Sequence, residues 1–513
     1  MNSATRTTLL MLVLAIVSVA VSMYYYPWEK VTKTDAEVGT PLFEEYKVSN
    51  VRGIDILTFN SDRQTMDRMK LVRRGEKWVV PSRQDFEASE SARVAIAVNS
   101  LNERTVFEVI SENQEDHIKY GVVDPAEFEK NKNVAALGRK MTLTDRNNKT
   151  IADIIVGSAL KNDAKKRYVR IPGKPRVYVI DFDQLSMAGM LTEFSGWVSP
   201  NLLDLQTQQD GNGRQLRKVT VDNYRIEAKE GEPPVKQAAY KAVLVPTAGK
   251  LKVQLLNVKS GDSWSNLPTT PAQEGRLTAA VISLLRLVVD DVGRKDPEFA
   301  DACGNPSADV DASVLERLSA IGFYHKGLEP DGWEFDSANG RVDVATSDGV
   351  LSKISIGRVG GASSAGGGEL NYFMMVNSGV DYEYLREPKR PAGLENDESE
   401  QNKAFLRTVK AWKAKVELAS RTASDLNAVH GDWYYLVGDN VVKALRPDLP
   451  LPSVEAKDGT TDSPVVQEEG SDNKEQPAEE NGSETRSEAA TEDGSTEPAK
   501  PAGEAESGTE KKE

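Results

Sequence analysis

The sequence predicts an α+β protein that consists of an N-terminal transmembrane helix, two related modules of mostly antiparallel sheet with packed helices, and a disordered acidic tail. Three observations predict this fold class. An uncharged apolar stretch lies near residue 15, β-type and helical segments alternate twice in the same order, and the composition changes after Pro452. The predicted divisions are 1–28 (cytoplasmic stub and transmembrane anchor), 29–210 (first repeat module), 211–452 (second repeat module with a helical insert at about 385–419) and 453–513 (tail).

The N-terminal stretch is the clearest signal. Residues 9–23 carry no charge, and an aromatic group of Tyr24, Tyr25, Tyr26 and Trp28 follows. At 1.5 Å per residue, residues 7–26 span roughly 30 Å, about one hydrocarbon core. Aromatic residues favour the membrane interface, and Arg6 on the short side places the N-terminus in the cytoplasm. We expect a retained single-pass signal anchor in a cytoplasmic membrane, with the bulk of the chain extracytoplasmic.

Two alternatives to an anchor remain open. The segments 18–20 and 20–22 both have small residues at their ends, as at a signal-peptide cleavage site. A buried globular helix is the other alternative, although its terminal position and lack of amphipathicity argue against it.

The first module begins with short strands. Segments 54–59 and 69–73 have β-type patterns, and the turn 74–76 leads into Lys77–Val80 as in a hairpin. A helix through Val94, Val98 and Leu101 follows, with Ser89 or Ser91 as the expected N-cap. After a turn at 120–125, the predicted strands are 141–145, 151–157, 168–171 and 177–180, before a short helix and Trp197.

The second module repeats this order. Segments 216–221, 242–245 and 251–256 have β-type patterns, and Trp264 takes the place of Trp78. Thr270 is a predicted N-cap, because proline follows it at the first helical position and Gln273 lies three residues on. One apolar stripe is then predicted for this helix: Leu277, Val281, Leu284, Leu285 and Val288.

Later segments extend the repeat. Segment 341–345 matches the strand at Met141, 351–357 matches 151–157 at an offset of 200 residues, Tyr372 parallels Tyr168, and Trp433 closes the module as Trp197 closes the first. A single mixed sheet with chance similarity is the alternative.

The second module differs by an insert between Tyr384 and Ala419. A helix from about Lys403 is predicted there, with Phe405, Val409, Trp412 and Val416 on its apolar face and Lys403, Arg407, Lys410 and Lys413 on its basic side. Such a helix could dock on anionic lipid or a partner. The interpretation we favour is a surface helix that packs its stripe on the sheet.

Charge and composition exclude several functions. Residues 453–513 contain 18 acidic and 6 basic residues, a net −12 of the −15 carried by the chain, so the acidity belongs to a tail too polar to fold. No basic patch with interleaved aromatics appears elsewhere, so we expect no nucleic-acid partner. The lone Cys303 excludes an internal disulfide, and the three scattered histidines His117, His325 and His430 do not predict metal binding.

Catalytic motifs are not found either. The glycine-rich run 360–368 is followed by Glu369 instead of the Lys-Ser/Thr of a phosphate-binding loop. The segment from Asp309 begins like a calcium loop, but Val314 and Ala320 stand where glycine and glutamate are needed. No serine elbow occurs, and the histidines have the pattern of boundary residues. We therefore predict no catalytic, cofactor-binding or metal-binding residues and no cofactor; the tryptophans Trp78, Trp197, Trp264 and Trp433 are predicted core landmarks more than sugar-stacking platforms.

A family resemblance adds to this interpretation. It is carried by Trp78, Tyr120-Gly121 ahead of Asp124-Pro125, the strands 155–157, 168–170 and 177–179, and Leu202-Leu203. With these motifs the chain resembles a bacterial domain-of-unknown-function family of membrane-anchored proteins associated with gliding-motility-type ABC transport systems. The resemblance covers residues 50–205 best and departs at Val122-Val123, where leucine is expected first. It brings no catalytic residues.

Together these observations favour a non-enzymatic, membrane-anchored extracytoplasmic accessory or scaffold protein of an ABC-type transport or gliding-motility-like system. Its expected partners are the membrane, through residues 7–26, and ABC transporter subunits or other envelope proteins. The alternative is a cell-wall glycan- or peptide-binding module that uses exposed sheet edges or a cleft between the halves. An envelope hydrolase ranks third, because it needs an acid, a base and a nucleophile in one cluster.

Overall fold

The fold is taken from a computed structural model that describes residue 11 and residues 13–18, 37–128, 133–206, 214–227, 234–261, 263–302, 310–329, 332–360, 371–392 and 399–450. Several sequence predictions lie outside these residues. They are most of the anchor, Cys303, Asp309, the glycine-rich run beyond Gly360 and the acidic tail.

The first half of the chain forms one antiparallel sheet with short helices. Ile54 and Ile56 are fully buried while Asp55 between them is half-buried, which is the alternation of a strand with one face on a core. The strands are β1 (Gly53–Asn60), β2 (Thr65–Arg74), β3 (Lys77–Val80), β4 (Phe86–Glu87), β5 (Val106–Ser111), β6 (Arg139–Thr144), β7 (Thr150–Leu160), β8 (Asp163–Arg170) and β9 (Val177–Asp181). The helices are α1 (Ser91–Asn99), α2 (His117–Tyr120) and α3 (Gln184–Ala188).

The second half forms another sheet with longer connections. Its strands are β10 (Leu205–Gln206), β11 (Arg214–Glu227), β12 (Val235–Thr247), β13 (Lys250–Ser260), β14 (Ser263–Asn266), β15 (Asp291–Arg294), β16 (Phe323–Glu329), β17 (Gly332–Ser337), β18 (Arg341–Thr346), β19 (Val350–Gly360), β20 (Asn371–Val380) and β21 (Trp433–Gly438). Its helices are α4 (Pro271–Leu284), α5 (Pro297–Ala302), α6 (Ala312–Ala320), α7 (Glu400–His430) and α8 (Asp439–Leu445). The sequence prediction of a sheet-rich α+β fold with antiparallel sheets is confirmed.

Both sheets follow the same path. The first has the order β4-β3-β2-β1-β6-β7-β8-β9-β5, and the second has the order β14-β13-β12-β11-β18-β19-β20-β21-β15. The hairpin β16-β17 stands apart as a two-stranded sheet, and β10 pairs with β11 in parallel. In each half a helix, α1 or α4, carries the chain from one edge of the sheet to the opposite edge.

A bulge recurs at the same place in both sheets. The register of β7 on β8 shifts between Val156 and Ala159, and that of β19 on β20 shifts between Ile356 and Val359. Just inside each bulge lies a glycine against another backbone. A Cβ on Gly157 would lie 2.7 Å from the carbonyl oxygen of Gly121, and one on Gly357 would lie 2.5 Å from that of Ile321. Only glycine permits this approach of a turn to a bulged strand.

The two halves share one hydrophobic core, and residues up to Val454 form one compact unit. Phe86 of β4 packs on Phe194, with ring centroids 5.6 Å apart, and meets the edge of Trp433 in β21 at 4.9 Å. The backbone N–H of Leu287 also donates to the carbonyl of Pro200 at 2.8 Å. An aromatic contact therefore joins the edge of the first sheet to the second.

The predicted helix starts are confirmed in one case and wrong in another. Thr270 and Gln273 form the reciprocal hydrogen bonds of a capping box at the start of α4. In contrast, α1 has Glu90 at its N-cap position without a side-chain cap, and the Ser89 hydroxyl accepts from the backbone of Ser199 instead. The predicted stripe of α4 is also too long, because the helix ends at Leu284 and Val288 is 48% exposed.

One of the predicted correspondences between the halves is corrected by the register. Val156 pairs with Val169 and Ile356 with Met374, so Phe373, not Tyr372, stands at the position of Tyr168. The predicted match was one residue out of step, which places side chains on the opposite face.

The predicted tryptophan landmarks change as well. Trp264 lies on β14, the counterpart of β4, and is 46% exposed, so it neither replaces Trp78 of β3 nor belongs to the core. Trp433 begins β21, the counterpart of β9, whereas Trp197 follows β9 in a buried 3-10 turn. Trp197 is fully buried, and Trp78 and Trp433 are half-buried against the core.

The predicted insert is helical, and α7 runs to His430, beyond the predicted boundary at residue 419. Ser399 caps it by accepting from the N–H of Asn402 at 3.2 Å. Its second half packs on β19 and β20, where Ala419 and Ala423 are buried with Val350, Val380 and Leu385. The favoured interpretation, a surface helix packed on the sheet, is therefore confirmed for this part of the helix.

The predicted anchor falls almost entirely outside the described residues. Of residues 7–26, the structure describes Met11 and 13–18, and these are helical. Within the described part of the chain, no helix combines the length and apolar character needed to cross a bilayer.

Candidate functional site: a polar cleft where the halves meet

A cleft of about 530 Å³ opens between the tip of the β1-β2 hairpin and the second half of the chain. The hairpin tip forms one wall, and residues that follow β3 and α3 form another. The lining residues are Asn60, Asp62, Arg63, Met66, Asp67, Arg68, Met69, Val80, Ser82, Arg83, Thr192, Glu193, Phe194, Ser195, Asp290 and Asn371. Concave sites between packed units are where ligands commonly bind, so this cleft is the first candidate site.

The polar groups of the hairpin tip are bonded to one another. The Asp67 carboxylate accepts from Arg63 at 2.8 Å, from the Asn60 amide at 2.9 Å and from the Thr65 hydroxyl at 3.1 Å. The Asn60 side-chain oxygen in turn accepts from the backbone N–H of Asp62 at 3.0 Å. This network holds the polar groups of the tip in a fixed arrangement relative to one another.

An ion pair that includes the cleft residue Arg83 joins the two halves. The Arg83 guanidinium pairs with the carboxylate of Asp291, whose side chain is only 12% exposed. The same carboxylate accepts from the backbone N–H of Val292 at 2.8 Å. Arg83 therefore links the segment after β3 to the start of β15.

The floor of the cleft is apolar. Met69 and Val80 are buried, and Phe194 is buried against Phe86 in the aromatic contact between the halves. Charged walls over an apolar floor suit an extended polar ligand with an apolar surface, such as a peptide or a sugar ring.

None of these cleft residues was singled out in the sequence. The density of Asn, Asp and Arg over residues 60–68 is a local pattern from which the polar hairpin tip could have been predicted. The pairing of Arg83 with Asp291 joins residues 208 positions apart, and nothing local in either segment predicts it.

The three histidines do not meet. His117 begins α2 and its Nε2 lies 2.6 Å from the carbonyl oxygen of Pro175, whereas His325 lies in β16. Burial lowers the pKa of His117. Each histidine is thus at an element boundary or on a strand, and the prediction that none forms a catalytic centre stays a prediction.

His430 is the most perturbed of the three. It is buried at the end of α7, and its Nδ1 lies 2.5 Å from the Tyr435 hydroxyl. Burial lowers the pKa of His430 to about 4, against a smaller opposing effect of a hydrogen bond with the backbone of Leu202. The imidazole is therefore neutral near pH 7 and acts as a hydrogen-bonding part of the core.

This neutral histidine should make the fold sensitive to acid. The unfolded chain takes up a proton near pH 6.5 and the folded chain only near pH 4, so stability is complete above pH 6.5 and falls as the pH drops towards 4. The loss from this group should reach about 3 kcal/mol. Urea unfolding of the wild type and of His430→Gln at pH 7.5 and pH 4.5 measures this loss as the difference in the free energy of unfolding between the two pH values. Equal pH dependence in the two proteins would contradict this assignment.

Carboxylates also gather on the first sheet. Lys140 lies 3.0 Å from Asp124 and 3.9 Å from Asp153, and Thr142 donates to Asp153 at 2.8 Å. Burial raises the pKa of Asp153, with Thr142 and Lys140 opposing the shift. Among the described residues, no three His, Cys, Asp or Glu side chains come together as metal ligands. The lysine between the two carboxylates makes this cluster a structural ion-pair network.

The fold and the cleft define an α+β protein with two like sheets and a polar site where they meet. Residues 78–304 match the family model described as Domain of unknown function (DUF4340). The match begins at Trp78 in β3, crosses the predicted division at residue 210 and ends beyond α5, covering less than half of the 513 residues. The resemblance to a domain of unknown function is confirmed to this extent. Comparison with curated proteins found no similar protein, and comparison with solved structures found no similar structure.

Proposed function

We propose that this protein is a non-enzymatic, membrane-anchored extracytoplasmic accessory or scaffold of an ABC-type transport or gliding-motility-like system. The observation that carries the proposal is the basic first half of α7, a helix inserted between two strands of the second sheet. A scaffold needs a surface that its own fold does not use, and this part of α7 is the best candidate.

The second half of α7 holds the helix rigidly on the sheet. The Asn427 side-chain amide donates to the carbonyl of Ser378 at 2.8 Å and accepts from its N–H at 2.8 Å. It thus pairs with β20 as the backbone of a neighbouring strand would. Nearer the start of α7, the Trp412 indole donates to the carbonyl of Leu385 at 3.0 Å. The first half is thereby presented in a defined orientation.

The first half of α7 is strongly basic. Residues 400–415 contain one acidic side chain, Glu400, and five exposed basic side chains: Lys403, Arg407, Lys410, Lys413 and Lys415. Leu406 beside them is 51% exposed. Electrostatic complementarity steers association and selects partners, so an acidic protein surface is the expected partner.

An acidic protein surface fits better than lipid. A helix that lies in a membrane interface inserts a free apolar face. Here Val416, Ala419 and Ala423 are already packed against the sheet, and Trp412 is bound to Leu385. On the first half of α7, five basic side chains are exposed beside one large exposed apolar side chain, Leu406, and this surface suits a polar protein interface.

Charge reversal on α7 tests this function. Lys410→Glu combined with Lys413→Glu should reduce recovery of a transporter subunit on the order of tenfold in affinity purification from detergent-solubilised membranes, because it makes the surface repel an acidic partner. The matched control is Lys250→Glu with Lys252→Glu, two exposed lysines at the start of β13. Repeated recovery of the wild-type protein alone would refute the scaffold function, and recovery of lipid alone would favour membrane docking.

The anchor and the module divisions belong to the same proposal. Residues 7–26 are proposed as a single-pass anchor in the cytoplasmic membrane, and mass spectrometry of the mature N-terminus tests this: a start near Val21 or Met23 would remove the anchor. The divisions 29–210 and 211–452 are proposed as related modules. Their support is the shared strand order and the bulges that recur 200 residues apart.

The cleft supports a second candidate, a cell-wall glycan- or peptide-binding module. Its polar walls and the apolar floor at Met69, Val80 and Phe194 are the favouring observation. A peptidoglycan pull-down distinguishes this candidate, because retention of the chain on the sacculus would favour it over the scaffold function.

A further inference from the structure

A second pocket lies within the second half of the chain, and its lining is rich in basic residues. Its volume is about 460 Å³. Arg225 near the end of β11, Arg358 of β19, Tyr372 of β20 and Lys443 of α8 line it, together with Arg446 just beyond α8. Three elements, β11, β19 and α8, thus bring cations together at one concave site.

Arg446 is the buried part of this pocket. Its side chain is only 8% exposed, and its Nη1 donates to the carbonyl oxygen of Tyr224 at 2.8 Å. Within the described part of the chain its buried Nε has no hydrogen-bond partner. A buried guanidinium with an unused donor is costly, because its charge is taken from water without full compensation.

The positive charge of the pocket is only partly balanced by the described residues. Asp439 is paired with Lys443 and accepts from the Tyr372 hydroxyl at 3.2 Å. That leaves Arg225, Arg358 and Arg446 with one lining carboxylate, Asp448. A surplus of about two positive charges results from this count.

The electrostatics agree with this count. Burial is the largest effect that lowers the pKa of Arg446, and the like charge of Arg225 is the next. The Arg358 guanidinium lies over the ring of Tyr324 at 5.8 Å, so one of its described neighbours is aromatic. Both features describe cations held together without enough negative charge.

We propose that this pocket binds a phosphate group, either free or as the phosphate monoester of a larger molecule. Arginine forks match the oxygens of phosphate and form charge-assisted hydrogen bonds with it. A phosphate monoester carries about −1.5 to −2 charges near pH 7, which would offset the surplus. The pocket is larger than one phosphate ion, so an attached organic group has room.

Titration calorimetry of the full chain in detergent tests the site, with inorganic phosphate and glycerol phosphate as probes and glycerol as the neutral control, at constant ionic strength. Saturable binding of either phosphate at millimolar or lower concentration is expected. Tighter binding of glycerol phosphate assigns a phosphate ester, and tighter binding of inorganic phosphate assigns the free ion.

Two arginine variants locate the binding. Arg225→Gln and Arg358→Gln should each weaken binding about tenfold, because each removes a charge-assisted interaction. Neither side chain is buried, so both variants should fold; circular dichroism checks this. Lys250→Gln, which removes one exposed charge elsewhere, should leave the affinity unchanged. No saturable binding of either probe, or equal affinity in all variants, would overturn the proposal.

Discussion

Phe86→Ala should lower the free energy of unfolding by about 4 kcal/mol, the largest effect that we expect from one side chain in this protein. Phe86 is 6% exposed and lies where three aromatic rings converge: Phe194, Trp433 and Tyr435. Its removal leaves a cavity between the two sheets, and neither sheet can move alone to fill it. Chemical denaturation of the full chain, followed by tryptophan fluorescence, measures the change.

A second phenylalanine serves as the control that distinguishes loss of the contact between the halves from loss of aromatic surface in general. Phe107 of β5 is 53% exposed, and Phe107→Ala should cost less than about 1 kcal/mol. If the two variants were equally stable, the aromatic contact would not be holding the halves together. Two unfolding transitions in the Phe86→Ala variant would show that the halves come apart before they unfold.

Gly157→Ala and Gly357→Ala should each lower the free energy of unfolding by about 3 kcal/mol. The added methyl group meets backbone atoms, namely the carbonyl oxygens of Tyr120 and Gly121 for Gly157 and that of Ile321 for Gly357. Backbone cannot move aside as a flexible side chain can, so the turn must separate from the bulged strand. Thermal and urea unfolding measure both variants.

Gly275→Ala is the control for these substitutions. Gly275 lies within α4, and a Cβ there would have no atom within 4 Å. The change should stabilise the protein by about 0.5 to 1 kcal/mol, since alanine favours a helix interior over glycine. Stabilisation by all three substitutions would show that the close approaches at the bulges do not exist in solution.

Local patterns in the sequence were sufficient to predict most strands and the best-capped helix. Alternating apolar residues located β1, and Thr270, Pro271 and Gln273 predicted the start of α4, because these signals act within a few residues of the chain. The correspondence between β7 and β19, which lie 200 residues apart, could also be predicted from the sequence. The two strands have similar patterns of buried and half-buried residues.

Features set by tertiary contacts were not predictable. Phe373, not Tyr372, takes the place of Tyr168, because the register is set by the pairing of β20 with β19 and not by a local pattern in β20. Ser89 accepts from Ser199 instead of capping α1, and this contact depends on a segment 110 positions away. The cleft and the basic pocket are likewise formed by residues that are far apart in the sequence. In the pocket, for example, Arg446 donates to Tyr224, which lies 222 positions away.

The placement of β5 at the far edge of its sheet has a consequence for how the chain acquires its structure. Val106 of β5 pairs with Ile180 of β9, so β5 cannot join the sheet until nearly the whole half has been synthesised. In the second half Asp291 of β15 waits for Leu436, with α7 still to form between them. Such distant pairings slow folding and leave edges open to wrong partners. Each half therefore keeps an unpaired sheet edge until its last strand has been synthesised.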